Sequence, residues 1–116
     1  MKDFFDLRYV ASEFRFDGIN LTKAVKATFD RRKTELPDSR PIGLSSRFAS
    51  NETVRKRWIA FLRLSQLEPL SLDLQTVVDE IWTFLEPVTN AVISENLLDM
   101  QWEPWGPWKS NADLPQ

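Results

Sequence analysis

A chain of 116 residues with a net charge of -2, no cysteine and no histidine has room for one domain with its own core. It excludes disulfides, thiol nucleophiles, the usual zinc sites and a histidine general base, so carboxylates, hydroxyls, lysine and arginine remain for chemistry. The charge is divided, with 14 basic against 8 acidic residues up to Ser65 and 1 against 9 after it, or +6 and -8. That asymmetry suits either a polyanion-binding half or two halves that fold together and neutralise each other.

No run of about 18 apolar residues is present, and no basic stretch leads into an apolar one as in a signal peptide. The expectation is a soluble cytoplasmic protein that does not engage a membrane.

In chain order, the first predicted helix runs from Lys2 to about Phe14. Phe4, Leu7, Val10, Ala11 and Phe14 share one side at helical spacing and read as its core face. Asp3 falls within that face, where an unpaired carboxylate is costly to bury. Phe5 and Tyr9 form a second apolar strip on another side, so the helix should be sandwiched. Phe16-Asp17-Gly18 reads as a turn, and Asn20 as the cap of a second helix with the stripe Leu21, Ala24, Val25, Thr28 and Phe29, reaching Lys33. Arg31, Arg32 and Lys33 suit the negative end of that helix dipole, although Arg32 continues the apolar stripe and must either snorkel or meet an anion.

Residues 34–50, with Pro37, Pro41 and Gly43, predict a long connection holding at most one short helix, Ser46 to Ala49, capped by Ser45. Asn51 caps a third long helix whose buried stripe is Val54, Trp58, Phe61 and Leu62. Arg55, Lys56 and Arg57 lie mostly to its sides, a pattern that usually marks a solvated face. After a return through Ser65–Leu72, broken by Pro69, Asp73 or Ser71 caps the longest helix. Its stripe is Leu74, Val77, Val78, Ile81, Trp82, Leu85, Val88 and Val92, with a kink or break expected at Pro87. The tail Trp102-Glu103-Pro104-Trp105-Gly106-Pro107-Trp108 cannot be helical. Its indoles are costly to leave in water, so it should fold back with at least two of the three buried.

No segment alternates with period 2 long enough to predict a strand. The expected class is therefore all-α, without a sheet of three or more strands: one domain, residues 1–94 forming a bundle of four main helices and residues 95–116 an irregular tail packed back on it.

For chemistry, Asp3 and Asp6 are the pair that stands out. Three apart on a helix, they project within one turn and can meet a metal-nucleotide or position a base, yet acids in a first turn also simply stabilise the helix dipole.

Lys2-Asp3-Phe4-Phe5-Asp6-Leu7 resembles the Lys/Arg-Asp-aromatic-aromatic-Asp-Leu motif of the AbiEii/AbiGii family, nucleotidyltransferase-like toxins of bacterial abortive-infection and toxin–antitoxin systems. Phe16-Asp17-Gly18, the helix ending Ala27-Thr28-Phe29-Asp30-Arg31-Arg32, Trp58-Ile59-Ala60-Phe61-Leu62, Phe84-Leu85-Glu86-Pro87-Val88 and the Trp102 to Trp108 tail are similar to successive segments of that family's helical C-terminal region.

The resemblance implies an N-terminal nucleotidyltransferase domain, with a Gly-Ser-type loop and paired acids, that this sequence does not contain. It makes Asp3 and Asp6 the catalytic candidates, with Lys2 as their partner, and leaves no counterpart for the family's upstream lysine and arginine. Magnesium and a nucleoside triphosphate are implied for a complete family member, and no cofactor for the isolated chain.

The leading expectation is the helical part of such a toxin, inactive alone, completing a separately encoded catalytic half or meeting an antitoxin. A second expectation is a self-associating module, a homodimer paired through Phe5 and Tyr9. A third is an RNA-binding module acting through Arg31, Arg32, Lys33, Arg55, Lys56 and Arg57.

Overall fold

The computed structural model describes residues 1–32 and 40–110. Five helices occur among them: α1 (Lys2–Glu13), α2 (Gly18–Arg32), the short α3 (Ser46–Ala49), α4 (Glu52–Leu64) and α5 (Leu74–Ile93). Single 3-10 turns at Ile42–Leu44 and Glu68–Leu70 flank α3 and precede α5. The bundle of four main helices is thus present, in a slab of 42 × 36 × 22 Å, about two helix diameters thick.

α5 is the shared wall. Its stripe of Leu74, Val77, Val78, Ile81, Phe84, Val88 and Val92 is buried, and it serves two clusters in succession. The N-terminal half meets Ala49, Trp58 and Leu62, with Phe4, Phe5, Val54 and Phe61 packed around them. The C-terminal half, through Phe84 and Val88, meets Ala11, Trp102 and Trp108, with Phe16, Leu21, Val25 and Met100 alongside.

Three helix starts follow the local chemistry of the sequence. Ser45 accepts from the Phe48 amide, Asn51 from the Val54 amide and Asp73 from the Thr76 amide, each satisfying a first-turn donor that has no intrahelical partner. The start of α2 differs from the expectation. Asp17, rather than Asn20, takes the capping role, its carboxylate accepting from the Asn20 amide at 3.4 Å and from Gln101 Nε2 at 3.0 Å. No break occurs at Pro87, since α5 continues through it to Ile93. The carbonyl that loses its donor belongs to Thr83 on the exposed side, where solvent can serve it, while the burial of Phe84 and Val88 keeps the helix continuous across the gap.

The tail corrects the all-α expectation. Phe16–Asp17 (β1), Met100–Trp102 (β2) and Trp108–Ser110 (β3) form a three-stranded antiparallel sheet in the order β1-β2-β3, with Phe16 opposite Trp102 and Trp102 opposite Trp108. Strands of two and three residues are too short to display alternation, so no periodicity could announce them. Fold-back itself occurs as expected: Trp102 is 2% and Trp108 9% exposed, whereas Trp105 is 54% exposed.

Both buried indoles donate to helix carbonyls, Trp102 Nε1 to Ala11 and Trp108 Nε1 to Phe84, each at 2.8 Å. Ala11 lies in the last turn of α1, and its carbonyl also accepts from the Trp105 amide at 3.1 Å. The tail therefore caps α1 as well as covering the core.

Two glycines make these approaches feasible. A Cβ on Gly18 would strike the carbonyl oxygens of Leu98 and Met100, and one on Gly106, at φ +71°, would strike the Trp102 ring. Thr22, fully buried beneath the same junction, donates to the Gly18 carbonyl and accepts from the Leu98 amide.

No helix among the described residues is long and apolar enough to cross a membrane.

Candidate functional site

α1 carries the acidic pair, and its orientation decides what the pair can do. The predicted core face turns inward along one edge only, at Phe4 and Ala11. Leu7 and Phe14 are exposed, Val10 is half-buried, and Asp3 and Asp6 are exposed beside them. The side turned inward is centred on Arg8, and it carries Phe4, Phe5, Ala11 and Ser12.

Tertiary contacts explain this rotation. Phe4 stacks on Phe48 with ring centroids 5.8 Å apart, and Phe5 packs on Phe61 at 6.2 Å. Arg8 Nε binds Glu80 Oε2 at 2.7 Å while its guanidinium covers the Trp105 ring at 4.6 Å, so the cation is paired and stacked rather than stranded. The expected Phe5/Tyr9 strip does not exist as a surface. Phe5 is packed inside, and Tyr9 lies exposed with its ring edge against Phe14 at 6.3 Å.

On the outer face, Asp3, Asp6, Leu7 and Val10 line an open recess of about 360 Å³. Asp6 pairs with Lys2 one helical turn away at 3.3 Å, with both side chains largely in solvent. Such a pair is worth little to stability and leaves the carboxylate accessible. The burial conflict suggested by Asp3 within an apolar stripe is therefore absent, because the part of the stripe beside Asp3 is not buried.

The two carboxylates occupy part of one helical turn, and among the described residues no three acids gather into a group that could hold a metal ion. A magnesium ion requires a near-octahedral oxygen shell. Asp3 and Asp6 can contribute to such a shell but cannot complete one.

The basic candidates lie elsewhere. Arg31 and Arg32 are exposed at the end of α2, and Arg55, Lys56 and Arg57 are exposed on α4; none of them lines the acidic recess. Lys33 lies outside the described residues.

Sequence reasoning missed a second concavity, of about 170 Å³, in which Arg8, Glu80 and Trp105 come together. Arg8 and Glu80 are 72 positions apart, and no local pattern marks them as partners.

Comparison with known proteins gives one finding. The model of the nucleotidyl transferase AbiEii toxin family, of type IV toxin–antitoxin systems, matches residues 1–86. That span begins with the Lys2–Leu7 motif, takes in α1 to α4 and reaches Glu86 within α5; the Trp-rich tail lies beyond it. No match was found among curated proteins or among solved structures. With about three-quarters of its length covered, including the helix that bears Asp3 and Asp6, this chain belongs to the AbiEii nucleotidyl transferase toxin family.

Proposed function

We propose that this chain is the helical part of an AbiEii-type nucleotidyl transferase toxin, and that the outer face of α1 receives the nucleotidyltransferase domain, carried on the same polypeptide or on another. The observation that carries this reading is the recess in which Asp3 and Asp6 stand beside uncovered Leu7 and Val10. Leu7 and Val10 offer such a domain an apolar footing, and the two carboxylates beside them stay accessible to its cleft. The partner domain supplies the remaining metal and phosphate ligands, and Asp3 and Asp6 complete its cleft with Lys2 orienting Asp6. The chain has no transferase activity alone. An antitoxin that covered this face would silence the enzyme by occupying the same surface.

Self-association is the weaker alternative. Its expected contact through Phe5 is already used internally, and a two-fold axis at the outer face of α1 would bring two sets of Asp3 and Asp6 towards each other.

The test is reconstitution. A nucleotidyltransferase domain of the family, combined with this chain, should transfer labelled nucleotide from a nucleoside triphosphate with magnesium, and Asp6→Asn should lower transfer by about 100-fold or more. Equal activity in the variant removes Asp6 from the site. A chain that scatters light as a stable dimer and binds no such domain supports the self-associating module instead.

A second reading, contact with RNA, has its own support. Arg47, Arg55, Lys56, Arg57 and Arg63 are exposed and form no ion pair with described residues, which leaves α3 and α4 with an uncompensated positive surface. Phosphate contacts of single-stranded RNA weaken with salt by a slope of about 0.7 for each contact. Replacing Arg55, Lys56 and Arg57 with Gln should therefore reduce the slope of log affinity against log salt by about 2. An unchanged slope would identify them as solvated surface.

A further inference from the structure

We propose that the concavity between α1, α5 and the β2–β3 hairpin is a binding site for a nucleobase, a neutral planar heteroaromatic ring, either free as a nucleoside or unstacked from a strand. Arg8, Asp79, Glu80, Thr83, Trp102 and Trp105 line it, and its volume is about 170 Å³. That is below the size of pockets that enclose drug-sized ligands, and it suits a base with its sugar left at the mouth.

The charges around the site cancel. Arg8 pairs with Glu80 at 2.7 Å, and Arg40 pairs with Asp79 at 2.7 Å, holding the Asp79 carboxyl below its usual range. Neither a cation nor a phosphate is selected by such a balance. A ring that both donates and accepts is selected, because an Arg–Glu pair joined through Nε retains donor capacity on the guanidinium and acceptor capacity on the carboxylate.

Trp105 supplies the stacking surface. It is a bulky residue at φ +69°, in the left-handed region that such side chains rarely adopt. Two bonds hold the backbone there, the Trp105 amide to Ala11 and the Gly106 amide to Glu103. The result is an indole kept more than half exposed, while its neighbours Trp102 and Trp108 are buried. Its Nε1–H has no acceptor among the described residues. The Arg8 guanidinium already covers one face of this indole at 4.6 Å, so a base stacks on the other face, as unpaired bases do on exposed aromatic side chains. The site does not depend on the docking of a catalytic domain, and binding is read on this chain alone.

The experiment is a nitrogen-15 NMR titration of the full chain with adenosine, guanosine, cytidine and uridine, and with an unstructured RNA octamer. The expected result is a saturable shift of the Trp105 indole N–H and the Arg8 Nε–H signals. Followed through Arg8, binding should be at least about tenfold weaker in Trp105→Ala and partly recovered in Trp105→Phe, which keeps a ring. Similar affinity for nucleoside and octamer identifies a free nucleoside-type ligand, and a large gain with the octamer identifies a strand; both support the site. No shift with any probe overturns it. So does octamer binding that persists undiminished in Trp105→Ala, which places the contact on phosphates alone.

Discussion

Removal of residues 101–116 is expected to lower the stability of the chain by about 5 kcal/mol or more. Burial of Trp102 and Trp108 contributes roughly 2 to 3 kcal/mol each on area grounds. Truncation also uncovers Phe84 and Val88 and strips the Ala11 carbonyl of both donors, at about 1 kcal/mol for each lost bond. A single domain has only about 5 to 15 kcal/mol in total, so the truncated chain should be largely unfolded at 25 °C. Urea unfolding followed by far-ultraviolet circular dichroism is the measurement, with a midpoint lowered by about 2 M or more for a domain of this size. A midpoint left unchanged would show that the hairpin is an appendage, and would detach the Trp105 site from the fold as well.

Replacing Phe84 by alanine should cost about 4 kcal/mol, near the middle of the range for a buried aromatic truncated to Ala. Phe84 is the ring that joins helix to hairpin. Its centroid lies 4.9 Å from Trp102, 5.9 Å from Trp108 in parallel stacking and 5.2 Å from Phe16, so its loss empties the centre of the second cluster. Leu64, 85% exposed at the end of α4, serves as the control and should change stability by less than about 0.5 kcal/mol. The two large effects should not add. Under stabilising conditions, such as added osmolyte, where the truncated chain still folds, Phe84→Ala should cost much less than in the full chain, because its partners have gone. Full additivity in that cycle would mean that Phe84 contributes through α5 alone.

The candidate site was legible in part. The Lys2–Leu7 motif named Asp3 and Asp6, and the structure sets both beside one recess. Their surroundings were read only partly right, since Phe4 and Ala11 of the predicted core face turn inward while Leu7 and Phe14 do not. α1 has apolar residues on two flanks, Leu7, Val10 and Phe14 on one and Phe5 and Tyr9 on the other, and a helix so patterned does not specify which arc turns inward. The choice fell on the arc between them, which includes a charged residue, because Glu80 and Trp105 are in place to satisfy Arg8. No rule based on hydrophobic spacing places an arginine at the centre of a helix's inner face. Its compensation lies 72 residues away along the chain.

Elements whose signals are local follow from the residues alone. The Ser45, Asn51 and Asp73 caps each act across three residues, and the stripes of α4 and α5 repeat often enough for one face to be the buried one in any compact arrangement. The burial of the tail was also legible, because indoles are costly to leave in water wherever they fall. Tertiary structure alone decided the facing of α1, the unbroken course of α5 through Pro87 and the sheet. β1 is two residues between helices, and it becomes a strand only because Trp102 and Gln101, more than 80 positions on, arrive to accept its pairing. Backbone groups at such a junction bond whatever partner the packed helices bring to them, and that partner is fixed by how α1, α2 and α5 close together rather than by any pattern in the residues themselves.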